Sequence, residues 1–323
     1  MTRIGVVGAG AFGTALAIAL GRQGREVRLW ARDPRDVSEL RQSRASRRLG
    51  GAMLPENVSV TADLADLKDA NTVLLATPMQ ALGGFLAQHG PVLTAEHLVA
   101  CCKGLDLATR AGPTALIQQA CPDAQAMILT GPSFAADIAH GQATALTLGC
   151  GSDDAGRGVQ QALSGHILRI YRNTDVIGAE LGGALKNVIA IAAGIVIGAG
   201  LGESARAALM TRGFAEMVRF ATRLGARPET LMGLSGFGDL VLTCTSDQSR
   251  NFRHGMALGQ GAAPDSTQTV EGVATAQAIV QQARHLGALQ DIPVTDMIAQ
   301  VTLGKIAVPT AIQTLMSRPL KEE

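Results

Sequence analysis

At residues 3–20 the chain reads "RIGVVGAGAFGTALAIAL". It opens as a continuous apolar run, the pattern of a strand covered on both faces. Glycines follow at positions 8, 10 and 13, and then residues that favour helix. In this G-x-G-x-x-G spacing each glycine has its own task. Gly8 permits a tight turn, Gly10 lets a pyrophosphate approach the backbone, and Gly13 lets helix and strand pack closely. The helix N-terminus then offers unpaired N–H groups to phosphates. The stretch predicts a Rossmann-type dinucleotide-binding βαβ unit.

The same rhythm continues outward. Strand-like runs fall at 3–8, 26–31, 58–61, 72–77, 98–104, 126–131, 144–150 and 167–172, with helical stretches between several of them. After Asn173 the strands stop. Helical patterns occupy 175–197, 203–225, 228–234, 250–259, 270–286, 293–302 and 308–316, punctuated by Gly225, Pro228, Gly287, Pro293 and Pro309. The expected fold class is α/β. A mostly parallel-sheet domain (1–173), expected to bind NAD(P), is followed by an all-α domain (174–323).

Bulk properties narrow the function classes. A net charge of +1 gives no general attraction to nucleic acid or anionic membrane, so any bound anion needs a local site. The five cysteines are odd in number and form no C-x-x-C pair, which suits reduced thiols in a cytoplasmic protein. The histidines have no metal-ligand spacing, so no metal is expected. The start of the chain lacks a basic n-region and is broken by glycines, unlike a secretory signal. Residues 187–202 offer 16 uncharged residues, short of the ~20 of a spanning helix. No membrane span is expected.

The second strand indicates which cofactor. An NAD site usually carries an acidic residue there to bond the ribose 2′-hydroxyl. Here Arg32 comes before Asp33, and a guanidinium can pair a 2′-phosphate bidentately. Arg47 and Arg48 lie downstream. NADP is expected, and Asp33 leaves NAD open.

Lys186 is the other landmark. Only five lysines stand against 23 arginines, and this one sits in the apolar run "GALKNVIAIAAGI" (183–195). Its helical face carries Gly182, Gly183, Ala190, Ala193 and Gly194, so a backbone or a ligand can approach closely. A snorkelling lysine would share its face with other polar residues. Lys103 follows a likely strand in "CCKGL", and "LTGPSFA" turns at Gly131-Pro132 into a helix that Ser133 could begin. Asp239 lies in the glycine-rich turn "SGFGDL". It is either a turn or cap aspartate, or a carboxylate that orients Lys186 or accepts substrate hydroxyls. Ser249 suits an N-cap, placing Arg250 and Asn251 in a first turn that could trap phosphate.

Taken in order, "GAGAFGTALA", "CCKGL", "GPSFA", "GALKNVIAIAAGI", "GLSGFGDLVLTCTSDQSRN" and "VEGVAT" closely resemble the bacterial-type NAD(P)-dependent glycerol-3-phosphate dehydrogenases. The resemblance runs from residue 8 to about residue 275. It implies reversible hydride transfer between NAD(P)H and dihydroxyacetone phosphate, giving sn-glycerol 3-phosphate for glycerophospholipid synthesis. It further implies Lys186 as acid/base, with Lys103, Gly131, Ser133, Asp239, Ser249, Arg250 and Asn251 at the substrate. Around the cofactor it implies Gly8, Gly10, Ala11, Phe12, Gly13, Arg32, Arg48, Lys103, Ala135, Arg250, Thr269 and Glu271. Arg48 stands where an aromatic is common, and Thr269 where valine is frequent. A homodimer is expected. Two other readings are an NADP-dependent hydroxy-acid dehydrogenase with a helical second domain, and a non-catalytic NADP(H)-sensing protein.

The chemistry sets a requirement. Ketone reduction needs a proton donor at the carbonyl oxygen, and the reverse reaction needs that group as a base. A free lysine, with a pKa of ~10.4, is a poor base at neutral pH. Burial or a neighbouring cation, for which Lys103 is a candidate, must lower it by ~3 units.

Overall fold

A computed structural model describes residues 3–263, 265 and 269–316. Residues 317–323, the end of the second expected domain, lie outside the described residues.

The sheet half contains β1 (Arg3–Val7), α1 (Ala11–Arg22), β2 (Glu26–Trp30), α2 (Pro34–Ser43), β3 (Ala45–Ser46), β4 (Ala52–Met53) and β5 (Val58–Thr61). It continues through β6 (Thr72–Leu75), α3 (Met79–His89), β7 (His97–Ala100), α4 (Pro113–Ala120), β8 (Gln125–Thr130) and α5 (Ala135–Ala139). β9 (Thr144–Gly149), α6 (Asp153–Leu163) and β10 (Leu168–Asn173) complete it. Helices follow: α7 (Val176–Gly198), α8 (Glu203–Arg223), α9 (Pro228–Met232), α10 (Asp239–Cys244), α11 (Arg250–Gly259), α12 (Glu271–His285), α13 (Pro293–Thr302) and α14 (Val308–Met316).

The eight-stranded sheet has the order β10-β9-β8-β7-β6-β1-β2-β5. Every pairing is parallel except β8 with β9. This is the mostly parallel sheet expected, with the order reversing on either side of β1. Side chains alternate between its faces. Ile4 and Val6 of β1 pack with Leu16 and Leu20 of α1, while Val7 packs with Leu82 of α3 and Ile117 of α4. Both faces are dry, which explains the continuous apolar runs. The small antiparallel pair β3–β4 has no counterpart in the sequence reading, because two-residue strands leave no periodicity to detect.

Register brings the functional loops to one edge. Val7 lies beside Trp30 and Leu75, Leu75 beside Ala100, and Ala100 beside Ile128. Gly8, Arg32, Lys103 and Gly131 therefore leave the sheet at the same carboxyl end, beside the point where strand order reverses. Ligands bind at this position in open α/β sheets.

α7 is the spine of the second half. By length and composition it could cross a membrane, yet 83% of its most apolar window is buried inside the protein. Its first turns pack on the sheet half, with Ala179 in the core beside β7 and α4. Its later turns join Phe220, Met217, Ile279 and Ile298 in the helical core.

The small-residue face around Lys186 meets backbone. A Cβ on Gly182 would lie 2.6 Å from the Ser235 carbonyl oxygen, and one on Gly194 would lie 2.1 Å from that of Phe252. The contact with α11 is reciprocal: Cβ atoms on Gly255 and Gly259 would lie 2.0 and 2.4 Å from the carbonyl oxygens of Ile191 and Ile195. Gly194 and Gly198 on one helix and Gly255 and Gly259 on the other let the two backbones touch. Gly255→Ala cannot be relieved by a rotamer change, so we expect it to destabilise the chain by about 3 kcal/mol. Urea unfolding followed by circular dichroism measures this, and Gly261→Ala, in open space but at φ +73°, serves as a milder comparison.

Candidate active site

Where the sheet edge meets α7, three charged side chains from three elements converge. Asp239 is the first residue of α10 and only 1% exposed. One of its carboxylate oxygens, Oδ2, accepts from Lys103 Nζ at 2.5 Å. The other, Oδ1, lies 3.0 Å from Lys186 Nζ. Lys186 also donates to Thr243 Oγ1 at 2.7 Å, and that hydroxyl donates to Asp239 Oδ1 at 3.3 Å. Lys103 donates in addition to the Gly131 carbonyl at 3.0 Å, which Ser133 Oγ also bonds.

Burial pulls the Lys186 ammonium down to about 8, with Lys103 adding in the same direction and Asp239 opposing both. Both causes anticipated from the sequence, a dry helix and Lys103 as the neighbouring cation, are therefore present. Neighbouring Cys244 is pushed up to about 12 by burial and stays a thiol.

Two local expectations are corrected. Asp239 does not sit in a loose turn: residues Leu234–Gly238 form a π-helical turn that runs directly into α10. Gly236 makes this possible, since a Cβ there would lie 2.0 Å from the Leu231 carbonyl oxygen. The turn aims Asp239 into the protein, where its carboxylate meets Lys103 and Lys186. Ser133 does not begin a helix. α5 starts at Ala135 with Phe134 at its N-cap, and the Ser133 hydroxyl donates to the Gly131 carbonyl instead.

Thr243 and Asn187 escaped the sequence reading. Thr243 stands at i+4 from Asp239 within "GDLVLT", a spacing that only a helical reading of this segment would have revealed. Asn187 receives a bond from Asn251 Nδ2 at 2.9 Å, and Asn251 Oδ1 accepts the Gly272 N–H at 3.0 Å. Asn251 thus ties α7, α11 and α12 together with both ends of its amide engaged. Ser249 caps α11 by accepting from Phe252 N, and Arg250 projects from the first turn, exposed.

The glycine loop suits a dinucleotide. A Cβ on Gly8 (φ +105°) would strike the Ala76 carbonyl oxygen at 2.9 Å, and one on Gly13 would lie 2.0 Å from the Gly8 carbonyl oxygen. At Gly10 nothing lies within 4 Å, so this glycine keeps space clear where the others fill it. α1 begins there with no side-chain cap and no acidic residue in its first turn, leaving N–H groups for phosphate near Ala11 and Phe12.

Beyond β2, Asp33 caps α2 through Arg35 N and pairs with the Arg35 side chain, while Arg32 is exposed. Arg48 pairs with Asp36 at 3.6 Å. Ala135 is partly buried, Thr269 is exposed before α12, and burial raises the Glu271 carboxyl.

The chain matches the model of the NAD-dependent glycerol-3-phosphate dehydrogenase N-terminus over residues 3–155, and that of the C-terminus over residues 175–313. It belongs to the NAD-dependent glycerol-3-phosphate dehydrogenase family. It is 61% identical over 322 residues to the glycerol-3-phosphate dehydrogenase (NAD(P)+) of Cereibacter sphaeroides, spanning 99% of this chain and 100% of that protein. The protein of the same description from Paracoccus denitrificans is 56% identical over 320 residues, 99% of each. Among solved structures, glycerol-3-phosphate dehydrogenase from Coxiella burnetii superposes with a TM-score of 0.92 at 34% identity, covering 98% of this chain and 99% of that one.

Family membership leaves the weight of each contact to be measured. Asp239→Asn removes the carboxylate that holds Lys186 protonated, so the Lys186 pKa should fall below its present value of about 8. Stability should drop by roughly 3 kcal/mol, because buried Lys186 and partly buried Lys103 lose their shared anion. Titration of reductively methylated lysines by NMR reads the first effect, and urea unfolding the second.

Proposed function

We propose that this chain catalyses reversible hydride transfer between NAD(P)H and dihydroxyacetone phosphate, forming sn-glycerol 3-phosphate for glycerophospholipid synthesis. The observation that carries the reading is Lys186, its ammonium drawn down to about 8 and hydrogen-bonded within a buried network that leaves one net positive charge.

NADP, when bound, supplies or accepts the hydride through its nicotinamide. The chain supplies the rest. Lys186 Nζ gives a proton to the carbonyl oxygen during reduction and recovers it from the hydroxyl during oxidation. Asp239 and Thr243 fix the direction of that ammonium. Lys103, held by Asp239 and the Gly131 carbonyl, adds positive charge where an alkoxide would form. Gly131 and Ser133 line the substrate side, and Ser249, Arg250 and Asn251 at the start of α11 meet the phosphate. Gly8, Gly10, Ala11, Phe12 and Gly13 cradle the pyrophosphate. Arg32 and Arg48 take the adenosine end, while Ala135, Thr269 and Glu271 approach the cofactor from the other side.

Residues 1–173 are the cofactor half and 174–323 the substrate half in this reading. The protein acts in the cytoplasm as a homodimer. Its interface lies away from the α7–α11 contact, which is filled within the chain.

Loss of NADPH absorbance on adding dihydroxyacetone phosphate tests the function, and an inactive wild type would end it. Lys186→Ala should lower kcat by about 10³, and Arg250→Ala should raise KM for the triose phosphate with a smaller effect on kcat. Reduction needs the protonated lysine and oxidation the neutral one. The reduction rate should therefore fall, and the oxidation rate rise, as pH passes about 8. Arg32→Ala should raise KM for NADPH by about ten-fold and leave NADH nearly unaffected, because only the former has a 2′-phosphate.

A further inference from the structure

Lys103 comes from the sheet half, whereas Asp239 and Lys186 come from the helices. Something must hold the Lys103 loop at the right separation. The loop runs from the end of β7 to the start of α4, and the structure clamps it at several points. Gln80 on α3 donates to the Leu105 carbonyl at 2.8 Å and accepts from Leu107 N at 3.0 Å. Thr275 of α12 lies against Gly104, whose added Cβ would be 3.0 Å from its hydroxyl. At the far end stands Glu180, on the same helix as Lys186.

Glu180 Oε1 accepts the Thr114 N–H at 2.8 Å. Thr114 is the second residue of α4, a helix whose own N-cap residue, Gly112, has no side chain to offer. The carboxylate therefore performs the capping from another element, at a helix end that favours negative charge. Gly112 is shaped around it: a Cβ there would lie 2.4 Å from Glu180 Oε2. Burial raises the Glu180 carboxyl, and no cation is among the groups that counter this; the Thr114 backbone and side-chain hydrogen bonds are. The same device recurs at Glu216, which accepts from Val294 N and Thr295 N at 2.7 and 2.9 Å to cap α13.

We propose that Glu180 is a positioning residue for the reaction. By capping α4 from α7 it holds the 103–112 loop against the helix that carries Lys186, and so sets Lys103 opposite Asp239. A closed circuit results: Lys186, Asp239, Lys103, the loop, Thr114, Glu180, and back along α7 to Lys186. This rests on the reading of Lys103 and Lys186 as working parts of the site.

The test uses the full chain as wild type, Glu180→Ala, Glu180→Gln, Gly112→Ala and the double variant. Glu180→Ala should lower kcat/KM for dihydroxyacetone phosphate about ten-fold, the scale of a small misplacement. It should also speed amide hydrogen exchange over residues 103–114. Lys186 faces Asp239, Lys103 and Cys244, and drawing Lys103 away removes a cation that lowers it. The oxidation profile should therefore move to higher pH. Glu180→Gln keeps an acceptor oxygen and should retain most activity.

Gly112→Ala should mimic Glu180→Ala by expelling the carboxylate, yet cost less than about two-fold more in the Glu180→Ala background. A folded Glu180→Ala with wild-type kcat/KM and exchange overturns the proposal, as does a Gly112→Ala loss of equal size in both backgrounds. If Glu180→Ala does not fold, Gly112→Ala and Glu180→Gln still decide it through exchange at 103–114. An inactive wild type would defeat the functional reading instead, and the exchange measurement would judge the latch independently.

Discussion

One carboxylate shared by two ammonium groups in a dry cleft governs this structure. Asp239 is almost wholly buried, and each of its oxygens serves a different lysine. Burying a charge is expensive unless it is paired, and here pairing leaves an excess of one positive charge. The cluster is thus stable enough to exist but prepared for a further negative group. An oxygen that gains negative charge during ketone reduction is such a group. The Lys186 value reflects the same balance, with burial stronger than the attraction of Asp239.

That balance requires three elements to meet within hydrogen-bond distance, and α7 arranges the meeting. At its start it packs on the sheet, one turn later its glycine face admits the Ser235 backbone before α10, and at its end it lies backbone to backbone on α11. Gly183 makes a similar allowance on the sheet side, where a Cβ would lie 2.6 Å from Thr130 Oγ1 and 3.5 Å from the Lys103 side chain. The stretch most like a membrane helix owes its composition to neighbours on every side. Smallness is needed where backbone approaches, and apolar bulk where the helical core must be filled.

The sequence made the sheet half legible because its signals are local. The central strands were short apolar runs, and the glycine spacing at 8, 10 and 13 carried its own stereochemistry. Lys186 was legible as an anomaly, a charge on a face of glycine and alanine. The π-helical turn before Asp239 was not, since "SGFGDL" carries the residues of an ordinary turn and its winding depends on packing against Leu231 and α7. Thr243 was hidden for the same reason. Asn251 was read as a first-turn residue of a phosphate trap, whereas the bonds of Glu180 and Asn251 reach residues 66 and 64 positions away. Pairings over such separations leave no periodic trace in a single chain.

The five cysteines acquire a use from their burial. All are free and all are buried, and the thiols of Cys101 and Cys244 are pushed up to about 12. An alkylating reagent reacts with exposed thiolate, so the native chain presents it with almost nothing to attack. Labelling can proceed only as fast as the protein opens. Because Cys101 and Cys102 lie beneath the sheet edge and Cys244 lies at the end of α10, the two halves carry separate chemical clocks. Their relative rates would reveal whether the nucleotide-binding layer and the helical bundle breathe together or apart.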